Sequence, residues 1–243
     1  MRLHFINSIL FIFIFYGCAP VFNEFQGADT VGKGNTHITP YMSTSKFLPD
    51  DDSGDDSDQD MNDNMGIRIA YGINDISDIH LKLEKIDGNG GFIDGSIYSL
   101  GFKYFLYDNK MEKYRASFYL PITYAEQRIN GSNGIIDDGG DIEMGGDDSR
   151  SFTLLEPTLI MSSKLHELFD FNFSTKFIKQ IGGTELDGDI PDFGISFNVS
   201  GMISFPEFKG LSFIPEYGIL FWDGDKYSHT GFGMSVDLSR FKN

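Results

Sequence analysis

The sequence of 243 residues contains little cysteine, little proline and few basic residues, and each shortage excludes a class of protein. The single cysteine, Cys18, leaves no intramolecular disulfide, and one Cys with five scattered His cannot build a zinc module. Lys and Arg together number 19 against 36 Asp and Glu, which gives a net charge of −17. Nucleic-acid binding requires a basic surface, so we expect no nucleic-acid partner.

The abundant residues favour β-structure. The chain has 28 Gly, 24 Phe and 11 Tyr, a composition typical of many strands joined by tight turns. Helical periodicity is almost absent beyond residue 35, and ten runs instead alternate apolar and polar residues. We predict strands at 35–48, 65–73, 78–86, 97–107, 113–129, 151–165, 169–181, 193–206, 211–222 and 227–241.

The alternation assigns each strand an apolar face and a polar face. Phe118 and Leu120, for example, fall on one face of their strand, and Ser117 falls on the other. The run 151–161 is less regular because Leu154 and Leu155 are adjacent, which predicts a β-bulge there.

The connections between the predicted strands alternate in length, with the longer loops at one end. Of the 36 acidic residues, 22 fall in the loops of that end together with only two basic residues. These loops are 49–64, 87–96, 130–150, 182–192 and 223–226. The strand lengths match the roughly 9–11 residues that a membrane-spanning strand needs. We therefore predict an all-β fold, an up-and-down antiparallel transmembrane β-barrel of about ten strands with its apolar faces towards lipid.

Three features resemble the outer-membrane β-barrels of Gram-negative bacteria. They are the run Gly32-Lys33-Gly34-Asn35 before the first strand, the alternating hairpins, and the final strand that ends Val236-Asp237-Leu238-Ser239-Arg240-Phe241. This resemblance implies an outer-membrane location, with outer-membrane lipids and the barrel assembly machinery as partners. It also implies extracellular long loops and periplasmic termini.

The N-terminus has the pattern of an export signal. Arg2 and His4 precede a short apolar run at 9–15, which is too short to span a membrane as a helix. The Gly17-Cys18 junction resembles a bacterial lipobox and implies a lipid on Cys18; the alternative is an ordinary signal peptide with an incidental cysteine. The expected organisation is a signal peptide at 1–18, a periplasmic N-terminal segment at 19–34 and the barrel at 35–243.

Ten polar residues fall on the inward faces of the predicted strands and form a candidate lumen network. A ten-strand barrel has a narrow bore, so these residues either neutralise one another and fill it or line a narrow pore or small-ligand pocket. They are Arg68, His80, Lys82, Glu84, Lys103, Arg115, Asp170, Lys176, Glu216 and Asp237.

An acidic run in the first long loop is a candidate Ca²⁺ site. Calcium prefers carboxylate oxygens, although the run lacks EF-hand spacing and also fits a solvated loop. Its candidate ligands are Asp50, Asp52, Asp55, Asp56 and Asp58. We expect no other cofactor.

The function predicted from the sequence is a non-enzymatic outer-membrane barrel with a structural or narrow-pore role. One alternative is an exported, soluble, lipid-anchored barrel that binds a small apolar ligand inside. Another is a barrel-embedded hydrolase using His80 or His229, but neither histidine lies in a recognisable catalytic motif.

Overall fold

The computed structural model describes residues 23–48, 60–88, 93–109, 113–129, 135–136, 142–143, 148–183, 193–205, 207–208, 210–222 and 224–241. These residues are almost entirely strands. The strands are β1 (Thr36–Leu48), β2 (Asp60–Asn74), β3 (Ser77–Gly88), β4 (Ile93–Asn109), β5 (Tyr114–Ile129), β6 (Ile135–Ile136), β7 (Ile142–Glu143), β8 (Asp148–Leu155), β9 (Thr158–His166), β10 (Phe169–Gly183), β11 (Phe193–Ser204), β12 (Leu211–Trp222) and β13 (Asp225–Asp237). No helix within the described ranges is both long and apolar enough to cross a membrane.

The strands close into a single antiparallel barrel. Neighbouring strands around the wall pair antiparallel, and β13 pairs with β1 from His37 opposite Asp237 to Leu48 opposite Lys226. Strands β8 and β9 lie end to end between β5 and β10, while β6 and β7 pair with each other as a separate hairpin. The barrel therefore has ten strand positions, which confirms the predicted fold class.

The break between β8 and β9 lies two residues beyond the predicted irregularity. Pro157 has no N–H to donate to a neighbouring strand, and the strand is interrupted at Glu156 and Pro157. The register against β5 is unchanged across this break. A register shift does occur at Leu154, but the extra residue lies in the neighbouring strand β10, between Gln180 and Gly182, which pair with Leu154 and Thr153.

The last strand ends four residues earlier than predicted. The Asp237 carboxylate accepts hydrogen bonds from the backbone N–H and the hydroxyl of Ser239, at 2.9 and 2.6 Å. This local bonding competes with the strand ladder, and Leu238–Phe241 form a 3-10 turn.

The two faces of the wall differ sharply in chemistry. Along β3, His80, Lys82 and Glu84 are buried in the barrel, whereas Ile79 and Leu81 are exposed on its outer surface. The other strands follow the same rule, with outward Tyr, Phe, Leu and Ile and mostly polar inward residues. Closure leaves none of the ten strand positions of the wall with an unpaired edge, and an apolar exterior suits lipid. A barrel with these two faces is a membrane-spanning barrel.

The connections define two ends of the barrel. The strand ends that flank the connections 75–76, 110–113, 167–168 and 205–210 meet at one end, which we call the short-turn end. The strand ends that flank 49–59, 89–92, 130–147, 184–192 and 223–224 meet at the opposite end, which we call the long-loop end. Residue 36, where β1 begins, is at the short-turn end.

Candidate functional site

A stretch of chain before β1 lies inside the lumen. We call residues 23–31 the inner segment. It extends from about the middle of the barrel, at Asn23, to the short-turn end, at Val31. Asn23, Glu24, Phe25 and Ala28 have at most 1% of their surface exposed. The sequence predicted a periplasmic N-terminal segment at 19–34, and residues 23–31 of that segment lie inside the lumen.

The turn between the inner segment and β1 is built on two glycines. Gly32 and Gly34 have φ values of 80° and 73°, which are costly for other residues. The N–H of Gly34 donates to the carbonyl of Gly72 at 2.8 Å, and the N–H of Gly72 donates to the carbonyl of Asn35 at 3.0 Å. The run before the first strand therefore reverses the chain out of the lumen and into the wall.

The Glu216 carboxylate holds the backbone of the inner segment. Its two oxygens each accept one backbone N–H, from Glu24 and from Phe25, both at 2.7 Å. Nε2 of His229 lies 3.2 Å from the same carboxylate. All four residues are buried, so the pairing offsets the cost of removing the carboxylate from water.

The side chain of Glu24 joins two cations of the wall. Its carboxylate lies 2.6 Å from Lys176 Nζ and 3.6 Å from an Arg68 nitrogen. Gln26 donates a 2.7 Å hydrogen bond to it from within the inner segment. Lys176 also lies 3.7 Å from Glu156, so cations and carboxylates alternate across the lumen. Burial of these charges is tolerable only because each meets an opposite charge.

Phe25 occupies an apolar site beside this network. Its ring stacks on Tyr41 with 4.9 Å between centroids, and it clusters with Ile214 and Met202. The Tyr41 hydroxyl in turn donates a 2.7 Å hydrogen bond to Glu84. The aromatic contact and the charged contacts of the inner segment are thus made by consecutive residues.

Lys103 and Arg115 hold the inner segment near the short-turn end. Lys103 Nζ donates to the carbonyls of Gly27 and Asp29, both at 2.6 Å. The guanidinium of Arg115 bonds the carboxylates of Asp29 and Asp170. Closer to the barrel mouth, the N–H of Val31 donates to the Asp78 carboxylate at 3.1 Å.

The ten residues of the candidate lumen network fall into two groups. Seven are buried within the lumen, namely Arg68, His80, Lys82, Glu84, Lys103, Lys176 and Glu216. Three are partly exposed at the short-turn end, namely Arg115, Asp170 and Asp237. Lys82 pairs with Glu84 at 2.9 Å, and Asp237 lies 3.6 Å from His37. Within the described residues His80 is the least engaged member, with Nε2 3.6 Å from Asp78 and with no described partner hydrogen-bonded to either ring nitrogen.

Sequence reasoning missed an apolar layer towards the long-loop end. Six buried residues, which we call the apolar collar, continue the inward faces of their strands beyond the charged layer. They are Ile86, Ile97, Ala125, Leu154, Ile178 and Leu220. On the β1–β2 side, Asn64 donates a 2.8 Å hydrogen bond to Ser45 at this level. The sequence of β3 indicates this apolar layer, because its inward-facing positions change from charged residues to the apolar Ile86.

A cavity of about 280 Å³ remains between the inner segment and the wall at the short-turn end. Its lining mixes apolar side chains such as Phe25 and Ile214 with charged ones such as Lys103 and Asp237. The mixture gives the cavity no dominant chemistry.

The described residues do not assemble a hydrolytic site. His229 faces Glu216, whose oxygens already accept the backbone of the inner segment. In the part of the chain that the structure describes, neither His80 nor His229 is hydrogen-bonded to a hydroxyl that could act as a nucleophile.

The remaining candidate residues lie outside the described ranges. Cys18 is one of them, and the acidic run that contains Asp50, Asp52, Asp55, Asp56 and Asp58 is the other. Among the residues that are described, no three His, Cys, Asp or Glu side chains are grouped to hold a metal ion.

No protein-family model matches the sequence, and no curated protein matches it. Among solved structures, the β domain of the Bordetella autotransporter BrkA is similar with a TM-score of 0.47 at 11% identity, covering 82% of this chain and 98% of that one. The translocator domain of the autotransporter NalP from Neisseria meningitidis has a TM-score of 0.46 at 8% identity, covering 86% and 89%. The outer membrane protease OmpT from Escherichia coli has a TM-score of 0.44 at 10% identity, covering 84% and 96%. Similarity at this level does not bear on function.

Proposed function

We propose that the protein is a non-enzymatic, structural β-barrel of a Gram-negative outer membrane, with its lumen closed by its own inner segment. The filling of the lumen supports this proposal most strongly. Glu24 and Phe25 occupy the middle of the bore, and the apolar collar narrows it towards the long-loop end. A barrel filled in this way carries no permanent aqueous channel. Other molecules can reach only its outer surfaces and its loops.

Cell fractionation tests the membrane location. We expect the full-length protein to sediment with outer membranes and to need detergent for extraction, because its exposed belt is apolar. A protein that stays monomeric and soluble without detergent would overturn the proposal. That result would favour the soluble, lipid-anchored barrel with a ligand inside.

Conductance separates the structural role from a narrow-pore role. The wild-type protein, inserted in a planar bilayer, should give no stepwise ion conductance, because charged side chains and the inner segment occupy the bore. Stable, reproducible steps from the wild-type protein would favour the pore and contradict a closed lumen.

The orientation is part of the same proposal. We place the long loops outside the cell and the short turns in the periplasm, with outer-membrane lipids around the belt and the assembly machinery as a transient partner. Protease added to intact cells should cut within 50–63 and 137–148 and leave the turn at 110–113 intact. Cleavage at 110–113 alone would show the inverted orientation. We also propose that Cys18 carries a lipid and that the acidic run binds Ca²⁺. The orientation and the closed lumen depend on neither.

A further inference from the structure

We propose that the lumen wall is a binding site for a short peptide, which residues 24–29 occupy as a ligand carried on the same chain. The recognised pattern is a carboxylate, an aromatic residue, glutamine, glycine, alanine and aspartate. This inference rests on the proposed closed lumen. It states that the inner segment, which closes the lumen, occupies a site that a peptide from another molecule can also occupy.

The wall is complete without the inner segment. All ten strand positions are paired with strands on both sides, and residues 23–31 add no strand to the sheet. The backbone of the inner segment is bonded by wall side chains: Glu216 and Ser162 accept its N–H groups, and Lys103 donates to its carbonyls. Side chains that grip a backbone in this way are the features of a peptide-binding site.

Two adjacent subsites select the first two side chains. Arg68 and Lys176 face the carboxylate of Glu24, and both cations are buried. Beside them, Tyr41 and Ile214 contact the ring of Phe25. A peptide without an acid at the first position would remove the Glu24-type carboxylate from between two buried cations, which is costly.

The next subsites admit small residues only. A Cβ added to Gly27 would lie 3.1 Å from Asn172 Oδ1 and 3.3 Å from Ser162 Oγ, tighter than ordinary contact. Ala28 is fully buried and clusters with Tyr119 and Ile160. Arg115 then pairs with the Asp29 carboxylate and completes the pattern.

A trans-binding experiment tests the inference on the full-length protein. In the variant Glu24→Gln with Phe25→Ala, the cis ligand is weakened and every wall residue is unchanged. A fluorescent peptide with the wild-type sequence of residues 23–31 should bind this variant in detergent at least tenfold more tightly than a scrambled peptide does. The wild-type protein, whose site is filled, should bind the same peptide at least tenfold more weakly than the variant does.

Two controls make the result specific. A peptide with valine in place of glycine at the position of Gly27 should lose at least tenfold in affinity, because its branched side chain would have to displace Asn172 and Ser162. In a second full-length variant, Ala28→Glu, a carboxylate replaces the buried methyl group of Ala28 and should release the cis segment. This variant should therefore bind the wild-type peptide as well. Far-UV circular dichroism and gel mobility before and after boiling report that each barrel is folded.

The inference is overturned if both folded variants fail to bind the peptide, or if the scrambled peptide binds equally well. Binding is read in detergent and needs neither fractionation nor conductance. If no peptide binds, the proposed structural role therefore still stands. If instead the protein proves to be soluble or to conduct ions, the peptide-binding result can still be interpreted.

Discussion

At the scale of single residues, Glu216 connects the wall to the inner segment more directly than its neighbours do. It accepts two backbone hydrogen bonds from residues about 190 positions earlier in the chain and also contacts His229. Hydrogen bonds to a buried carboxylate contribute more than neutral ones, about 1.5–3 kcal/mol each. A change that keeps the shape of this side chain and removes its charge therefore isolates the contribution of the clamp.

We expect Glu216→Gln to lower the free energy of unfolding by about 1–3 kcal/mol, because the amide has one acceptor oxygen for two N–H donors. Denaturant unfolding in lipid vesicles measures this change, and Trp222, the only tryptophan, provides the fluorescence signal. The control is Glu207→Gln in the exposed hairpin between β11 and β12, which should shift stability by less than about 0.5 kcal/mol. Equal effects of the two substitutions would argue against the clamp.

At the scale of elements, the sequence was sufficient for the strands and insufficient for the inner segment. In β3 the inward and outward residues alternate without interruption, so periodicity alone assigned His80 and Lys82 to the lumen. The inner segment has no regular period, and its contacts, such as Phe25 with Glu216, join residues far apart in the chain. Periodicity reports local geometry, so it could not reveal a segment that is held by distant side chains.

The same limit explains two smaller differences within the wall. The Asp237 side chain ends β13 early through its local bonds to Ser239, although the apolar alternation continues beyond that point. Pro157 interrupts the strand between β8 and β9, where alternation alone pointed to the two adjacent leucines before it. In both places the chemistry of one side chain or one ring overrides the periodic pattern.

The outward faces of β4 and β9 give a prediction about depth in the membrane. Leu100 lies near the middle of this strand and is 61% exposed, while Leu165 lies near the short-turn end of β9 and is 62% exposed. In a membrane-spanning barrel, Leu100→Lys should cost about 2–4 kcal/mol of unfolding free energy, and Leu165→Lys about 0–1 kcal/mol. Denaturant unfolding in lipid vesicles compares the two variants. Similar costs at the two depths would contradict a lipid-facing belt.

At the scale of the whole molecule, the lumen is layered along the barrel axis. The short-turn end holds Asp29, Arg115 and the cavity, the middle holds the charged network around Glu24, and the apolar collar follows towards the long-loop end. Sequence alternation predicted the polar interior and offered mutual neutralisation as one way of filling it, but it did not reveal the inner segment or the apolar collar. The closed state depends on the inner segment lying in the middle layer, so its position there is the central claim.

Disulfide trapping tests that position most directly. The N–H of Ala28 lies 2.7 Å from Ser162 Oγ, so the two Cα atoms are within about 7 Å, a separation that a disulfide can bridge. In a Cys18→Ser background, the pair Ala28→Cys and Ser162→Cys should lose both reactive thiols on mild oxidation in the membrane. The pair Ala28→Cys and Ser45→Cys, with Ser45 on the opposite wall and towards the other end, should keep both. Thiols that persist in the first pair, or that vanish equally in both, would contradict an inner segment held in the lumen.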